Sequence, residues 1–174
     1  MRLTQFSDYS LRMLLYLGVN SDRLVSAAEI ARAYGISYNH LVKVAGLLGG
    51  LGLVDGVRGR GGGLKLVADP AAVRIGWLVR QTEPDMHLVE CFDRATDTCP
   101  ITQACMLKGA LLEARTSFLA TLDRYTLADF LESEERKGAL VQLWAAGAQG
   151  AAKKRKGAAA GAEPGDEAGS APTT

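Results

Sequence analysis

The chain has 174 residues, of which 48% are hydrophobic and 22% are charged, and its formal net charge is +1. This length suits one domain or two small ones with enough apolar residues for a core. No stretch approaches the roughly 20 apolar residues of a membrane span, and the first ten residues carry no secretory or transit signal. We therefore expect a cytoplasmic protein without membrane contact, in a compartment that keeps thiols reduced.

The charges are distributed unevenly along the chain. Lys and Arg outnumber Asp and Glu ten to five in residues 1–80 and four to three in 145–174, but are outnumbered six to eleven in 81–144. Basic side chains near phosphates release condensed counterions, so the basic first half favours a polyanionic partner. A mildly basic solvated surface would give the same count.

The first 50 residues predict three helices. The segment 8–18 repeats leucine at helical spacing. Ser26 and Glu29 fit a capping box at the start of a second helix, and Gly35 can supply the positive φ that ends it. Ser37 can cap a third helix, whose buried side holds Leu41, Val44, Leu47 and Leu48. Helix, glycine turn, helix is the helix-turn-helix signature, although helical proteins of other functions also contain it.

Two short β-rich runs, 53–57 and 64–67, follow the third helix. The loop between them holds Arg58, Arg60 and three consecutive glycines. Glycines flanked by arginines suggest a loop shaped for close approach, and the negative floor of a minor groove attracts inserted arginine. A nucleotide-binding loop is disfavoured because no helix opens after the glycines and no Gly-Lys-Ser/Thr is present. The predicted fold is mainly α with a small β-hairpin wing: a winged helix-turn-helix.

This fold predicts the residues that contact double-stranded operator DNA. Polar positions opposite the apolar stripe of the third helix would face the major groove, and the loop of the hairpin would reach the adjacent minor groove. The candidates are Ser37, Tyr38, Asn39, His40 and Lys43 on the helix, and Arg58, Arg60 and Gly61 on the wing.

The second half of the chain predicts a short helix between Pro70 and Pro84 and a long amphipathic one after the cysteines. The apolar face of the long helix holds Leu107, Leu111, Ala114, Phe118 and Leu122. We interpret it as a dimerisation helix, with an ordinary intradomain helix as the alternative. Low apolar content predicts a disordered tail from Ala145, whose basic run at 153–156 could add non-specific DNA affinity. The predicted division is DNA-binding 1–80, cysteine loop and dimerisation helix 81–144, and tail 145–174.

All three cysteines, Cys91, Cys99 and Cys105, lie within 15 residues. Clustered cysteines in a reducing compartment more often bind metal or sense redox state than form structural disulfides. Zinc sites usually use C-x2-C pairs, whereas the C-x7-C-x5-C spacing suits a larger group such as an iron-sulfur cluster. Zinc, a thiol switch and plain buried cysteines remain alternatives. Three thiolates leave one iron atom of a cluster without a protein ligand. Nearby candidates for this ligand are His87, Glu90, Asp93 and Asp97.

Several segments resemble the winged-helix iron-sulfur repressors that include NsrR, IscR and RirA. They are "MRLTQFSDYSLRML", "YGISYNHLVKV", "VRGRGGGLKL", "VRIGWLVRQTEP", "CPITQAC" and "DRYTLADF", in the family's order from Met1 to about Leu131. The resemblance implies a homodimer in which three cysteines hold a [4Fe-4S] or [2Fe-2S] cluster. It also implies Asp8, reached across the dimer, as the non-cysteine ligand. IscR-like proteins place a histidine where this chain has Leu107.

The resemblance also suggests the signal. In the NsrR branch, which "YNHLVKV" and "YTLADF" favour, the intact cluster supports operator binding and nitric oxide destroys it. The wide first cysteine gap is also seen in RirA-like proteins, which respond to iron, and this remains the alternative. No acid-base pair or nucleophile constellation indicates an enzyme. The resemblance thus implies a nitric-oxide-sensing transcriptional repressor.

Overall fold

The computed structural model describes residues 2–160, and the side chains of residues 2–149. Six α-helices and one two-stranded antiparallel sheet occur in this range, with single turns of 3-10 helix at Pro70–Ala72, Glu90–Phe92, Thr102–Ala104 and Ala128–Phe130. The elements are α1 (Gln5–Val19), α2 (Ala27–Tyr34), α3 (Tyr38–Gly50), β1 (Val54–Val57), β2 (Gly63–Leu66), α4 (Ile75–Thr82), α5 (Met106–Asp123) and α6 (Glu134–Ala160).

The first three helices form as predicted, with differences at their N-termini. Helix α1 begins three residues before the predicted start, because the Thr4 hydroxyl accepts the amide proton of Ser7 and caps the helix. Ser26 caps α2 by accepting from the amide of Glu29, and Gly35 ends it at φ 64°. The reciprocal half of the predicted capping box is not formed, since the Glu29 carboxylate instead accepts hydrogen bonds from Tyr16 and Arg23.

Helix α1 lies at the centre of the fold and packs against α3, α4 and β2. Its spacing of apolar residues puts Met13, Leu14 and Leu17 in the interior. They meet fully buried side chains from the other elements: Val25, Ile30, Leu41, Val44, Leu48 and Leu78. This core holds α2 and α3 in a fixed relation to α1, so the polar side of α3 faces away from the protein.

The wing is a short hairpin in which Val54 pairs with Leu66 and Val57 with Gly63. Two backbone hydrogen bonds between Val25 and Leu64, of 3.0 and 2.8 Å, attach it to the link between α1 and α2. At the tip, Gly59 and Gly61 have positive φ. The winged-helix prediction is confirmed.

The structure gives internal reasons for the other glycines of the wing. A Cβ at Gly62 would collide with the carbonyl oxygen of Val57, and one at Gly63 would lie 3.0 Å from the carbonyl oxygen of Val25. Two of the three consecutive glycines therefore permit close packing within the protein. That the loop is also shaped for an external partner stays a prediction.

Helix α6 runs back across α2. Trp144 is buried between Tyr16 and Tyr34, and the centroid of its ring lies 4.5 Å from that of Tyr16 and 5.7 Å from that of Tyr34. The backbones of the two helices also approach closely, since a Cβ at Gly147 would lie only 2.8 Å from the carbonyl oxygen of Ala33. The helix continues to Ala160, so the prediction of disorder from Ala145 was wrong for residues 145–160. Alanine has the highest helix propensity, and a helix already docked through Trp144 can propagate into an alanine-rich segment. Residues 161–174 lie outside the described range.

Across the described range, every helix is too short or too polar to cross a lipid bilayer.

Candidate functional site

The start of α3 presents a continuous polar surface. Ser37, Tyr38, Asn39, His40 and Lys43 are all exposed, whereas Leu41, Val44 and Leu48 on the opposite side are fully buried. Ser37 occupies the N-cap position, but its side chain makes no hydrogen bond to the helix, so the predicted capping role was wrong. Its hydroxyl is left available to another partner. The predicted contact residues of the helix thus share one accessible face.

The wing presents the other predicted residues. Arg58, Arg60 and Gly61 are exposed around the tip of the hairpin. Among the residues with described side chains, neither guanidinium takes part in an ion pair or hydrogen bond. Because arginine presents several donors in a fixed fork, two unengaged guanidinium groups on a glycine-rich loop suit a phosphate or a minor groove.

A groove of about 850 Å³ separates the first turns of α1 from the exposed side of α3. Asp8 and Tyr9 line it on one side, and His40 and Lys43 on the other. The rings of Tyr9 and His40 pack in a tilted arrangement, with their centroids 6.0 Å apart. The structure thus brings Asp8, predicted as a cluster ligand, next to two predicted DNA-contacting residues.

Asp8 is engaged within its own helix. Its carboxylate lies 2.8 Å from Nη2 of Arg12 and accepts a second hydrogen bond, of 2.9 Å, from Nε of the same residue. The Arg12 guanidinium also lies over the ring of Tyr34 at the end of α2, 5.5 Å from its centroid. Arg12 therefore connects Asp8 to the helix-turn-helix. The i,i+4 spacing of Asp8 and Arg12 was readable from the sequence, but the contact with Tyr34 requires the fold.

A second polar network attaches α2 to α1. The hydroxyl of Tyr16 donates to Glu29 at 2.9 Å, and Arg23 forms an ion pair with the same carboxylate. The hydrogen bond from Arg23 holds the pKa of Glu29 below its usual range, and the hydrogen bond from Tyr16 acts in the same direction. Burial raises the pKa of Tyr34 to about 12, because a phenolate would be poorly solvated there. These contacts were not predicted, and they fix the orientation of α2.

The three cysteines lie along the loop between α4 and α5. All are free thiols of intermediate exposure: Cys91 in a 3-10 turn, Cys99 in an irregular segment and Cys105 at the N-cap of α5. The Cys105 sulfur accepts the amide proton of Lys108 at 3.4 Å.

The acidic side chains of the loop are used in its own turns. Glu90 accepts hydrogen bonds from the amide and hydroxyl of Thr98, and Asp97 accepts from the amide of Cys99 and the hydroxyl of Thr102. Asp93 accepts from the amide of Ala95. His87 is exposed, and its backbone amide donates to Asp85. Three of the four nearby ligand candidates therefore already stabilise the loop.

The donor set suits iron, because three thiols, one of them at a helix N-terminus, are the ligands that clusters usually take. Within the part of the chain whose side chains are described, however, the three cysteines are not gathered into a group that could hold a metal ion. The loop geometry is instead set by the Glu90 and Asp97 hydrogen bonds and by Arg115, which lies over the ring of Phe92 at 5.0 Å. The residues thus fit the cluster in chemistry, while the described chain alone does not assemble the site.

Helix α5 packs against α4 but buries no residue completely. Of its predicted apolar face, Leu107 is 66% exposed, Ala114 is exposed, and the others, Leu111, Phe118 and Leu122, are partly covered. Met106 is 90% exposed. The described residues thus leave much of the apolar face of α5 uncovered.

Comparison with known proteins identifies the family. Residues 3–133 match the Rrf2 family model, described as "Iron-dependent Transcriptional regulator". The chain is 48% identical over 144 residues to HTH-type transcriptional regulator NsrR of Halalkalibacterium halodurans, covering 82% of this chain and 99% of that protein. It is 47% identical over 136 residues to the regulator of the same name from Bacillus subtilis, covering 78% and 93%.

A solved structure agrees in fold. IscR of T. potens superposes with a TM-score of 0.59 over 76% of this chain and 87% of that one, at 23% sequence identity. With the family match over most of its length and these relatives, the chain belongs to the Rrf2 family of transcriptional regulators, and not to a family of enzymes.

Proposed function

We propose that this protein is a DNA-binding transcriptional repressor that releases its operator in response to nitric oxide, through an iron-sulfur cluster held by Cys91, Cys99 and Cys105. The observation that carries the proposal is the groove in which Asp8 lies beside His40 and Lys43. It joins a candidate cluster ligand to the candidate DNA-binding helix. The protein acts in the cytoplasm, where the DNA lies and thiols stay reduced.

DNA binding is supported by the exposure and charge of α3 and the wing. In this proposal α3 enters the major groove, where Asn39 has the amide geometry that reads adenine and Lys43 reaches a guanine edge or a phosphate. Arg58 and Arg60 enter the adjacent minor groove, and Gly61 lets the backbone approach closely. Ser37, Tyr38 and His40 complete the contact surface with the bases and their flanking phosphates.

The protein would bind DNA as a homodimer formed through α5. The support is the apolar face of that helix, which includes the largely exposed Leu107. A symmetric dimer presents two copies of α3 to half-sites about 34–36 Å apart, one turn of the duplex. Small rotations of the subunits change this separation, so dimer geometry controls affinity.

Four residues would hold the cluster: the three cysteines of one subunit and Asp8 of the partner. The chemistry that the cluster supplies is an iron atom with a non-thiolate ligand, a point of attack for nitric oxide. Both cluster types, [4Fe-4S] and [2Fe-2S], can be held by three thiolates and one oxygen ligand. For Asp8 to serve as that ligand, its ion pair with Arg12 must open or be shared.

The contacts of Asp8 give a route to the DNA-binding surface. Arg12 contacts Tyr34 of α2, and Tyr9, the neighbour of Asp8, contacts His40 of α3. A change in the partner of Asp8 therefore acts on both helices of the helix-turn-helix through direct contacts. A coupling free energy of about 1–3 kcal/mol would change DNA affinity about 5- to 150-fold, which suffices for a repressor.

The proposal is tested with anaerobically purified protein and an operator duplex selected from a random pool. Cys99→Ala should abolish the visible absorbance of the cluster and weaken binding to the selected duplex. Ser117→Ala, on α5 outside the loop, is the matched control and should leave both unchanged. A Cys99→Ala protein with full absorbance and full affinity would exclude the cysteine loop as the sensor.

The description of the matched family as iron-dependent favours a second candidate, in which iron supply rather than nitric oxide is the signal. The wide spacing of Cys91 and Cys99 is consistent with it. The two candidates differ in one experiment: a chelator added under nitrogen should release DNA from an iron sensor, whereas a nitric-oxide sensor should need nitric oxide.

A further inference from the structure

The segment before α1 is held in a defined position. The backbone amide of Thr4 donates to Oε1 of Glu83 at 2.8 Å, and its hydroxyl donates to the same oxygen at 3.0 Å. A buried hydrogen bond of 2.7 Å between the hydroxyls of Ser7 and Thr82 joins the same two elements. The start of the described chain is therefore attached to the end of α4.

This attachment puts Arg2 at the edge of the groove that His40 and Lys43 line. Arg2 is exposed, and within the range of described side chains its guanidinium has neither an ion-pair partner nor a hydrogen bond. An arginine thus lies at the groove beside α3 and makes no polar contact of its own with the described side chains through its guanidinium.

The charges around the groove favour an anion at this position. Lys43 and Arg2 are cationic, and Asp8 is the carboxylate among the described residues that line the groove. Its charge is balanced by Arg12 in this structure, and by iron when it serves as the proposed cluster ligand. Arg2 also borders a smaller cavity of about 290 Å³ that contains Glu83 and Asp85. Oε1 of Glu83 is already engaged by Thr4, which reduces its competition for Arg2.

We propose that Arg2 binds a backbone phosphate of the operator, next to the bases that α3 reads, and so extends the DNA-binding surface beyond the helix-turn-helix and the wing. The guanidinium presents donors in a fork that matches phosphate oxygens, and phosphate contacts fix the register of a protein on its duplex. Tyr9 supports the arrangement, because its ring packs against that of His40 from the opposite side of the groove. This inference rests on the proposed function.

The test measures the salt dependence of binding by fluorescence anisotropy, with a labelled duplex of random sequence and a KCl series. Each phosphate contact contributes about 0.9 to the slope of log K against log salt. Arg2→Gln should make the slope shallower by about 0.9 per subunit, or about 1.8 for a dimer. Arg2→Lys keeps the charge and should retain most of the slope.

Arg124→Gln is the matched control. Arg124 is exposed at the end of α5 and does not line the groove, so its replacement removes the same charge but should leave the slope unchanged. Thermal unfolding of all variants checks that an exposed substitution has not altered the fold.

The possible results distinguish a failure of the proposed role of Arg2 from a failure of the proposed repressor function. If wild-type protein binds the duplex and Arg60→Ala weakens binding while Arg2→Gln keeps the wild-type slope, the role of Arg2 is excluded and the repressor proposal stands. An equal loss in Arg2→Gln and Arg124→Gln would also exclude it, because the effect would then be one of net charge. If wild-type protein binds no DNA, both proposals fall.

Discussion

Replacing Gly62 by alanine tests whether the shape of the wing is required for DNA binding. The new Cβ would overlap the carbonyl oxygen of Val57 and lie 3.0 Å from that of Gly59. These are backbone atoms in a hydrogen-bonded hairpin, so the loop itself must move. The move also strains the 3.0 Å hydrogen bond from the amide of Gly62 to the Gly59 carbonyl.

The size of the effect follows from that overlap. Overpacking of this kind costs about 1–3 kcal/mol, and a lost backbone hydrogen bond about 0.5–1.5 kcal/mol. For a chain of this length, 1–3 kcal/mol corresponds to a fall in Tm of about 2–12 °C. If the tip shifts instead, Arg58 and Arg60 leave their positions, and we expect DNA affinity to fall about tenfold or more.

The assay combines thermal unfolding by circular dichroism with anisotropy on the selected duplex. Gly138→Ala on α6 is the control, because a Cβ there meets nothing within 4 Å and alanine is the better helix former. A Gly62→Ala protein with wild-type Tm and wild-type affinity would refute the reasoning, since the overlap must appear in one of the two measurements.

Three further predictions concern other parts of the molecule. Trp144→Ala should destabilise the protein by about 3–5 kcal/mol in urea unfolding, because it removes a buried aromatic side chain between Tyr16 and Tyr34. The control Leu143→Ala, at a 67% exposed position, should cost under about 0.5 kcal/mol. Equal costs for the two variants would contradict the docking of α6. Tyr34 should titrate near pH 12, as read from the difference in 295 nm absorbance between wild type and Tyr34→Phe. Its raised pKa contributes stability that is complete below about pH 10 and is lost as the pH rises through 12, so a titration near 10 would show the ring to be solvated. Arg60→Ala should weaken DNA binding and flatten its salt slope while the cluster spectrum stays intact, and an unchanged slope would remove the wing from the interface.

The sequence predicted the winged helix because its local signals agree with one another. Ser26, Gly35 and the apolar stripe of α3 each act over a few residues, and the fold uses them in the way that local chemistry requires. The surface residues of α3 could be named because burial of Leu41, Val44 and Leu48 fixes which side faces outward.

The parts that the sequence did not predict depend on contacts between distant segments. Glycines 62 and 63 give no local sign that Val57 and Val25 approach them, and Trp144 does not reveal that it packs on α2. The groove between α1 and α3 likewise exists only once the helices are packed. The low apolar content after Ala145 predicts disorder, although the helix propensity of alanine and the docking of Trp144 favour a helix.

The central claim is that the state of the cysteine loop controls DNA binding. The most direct measurement is a titration of anaerobic protein with nitric oxide, in which absorbance and a mobility shift of the selected duplex are read on the same samples. The account predicts that bleaching and release of DNA proceed together, with the same number of equivalents. Complete bleaching with the duplex still fully bound would contradict it.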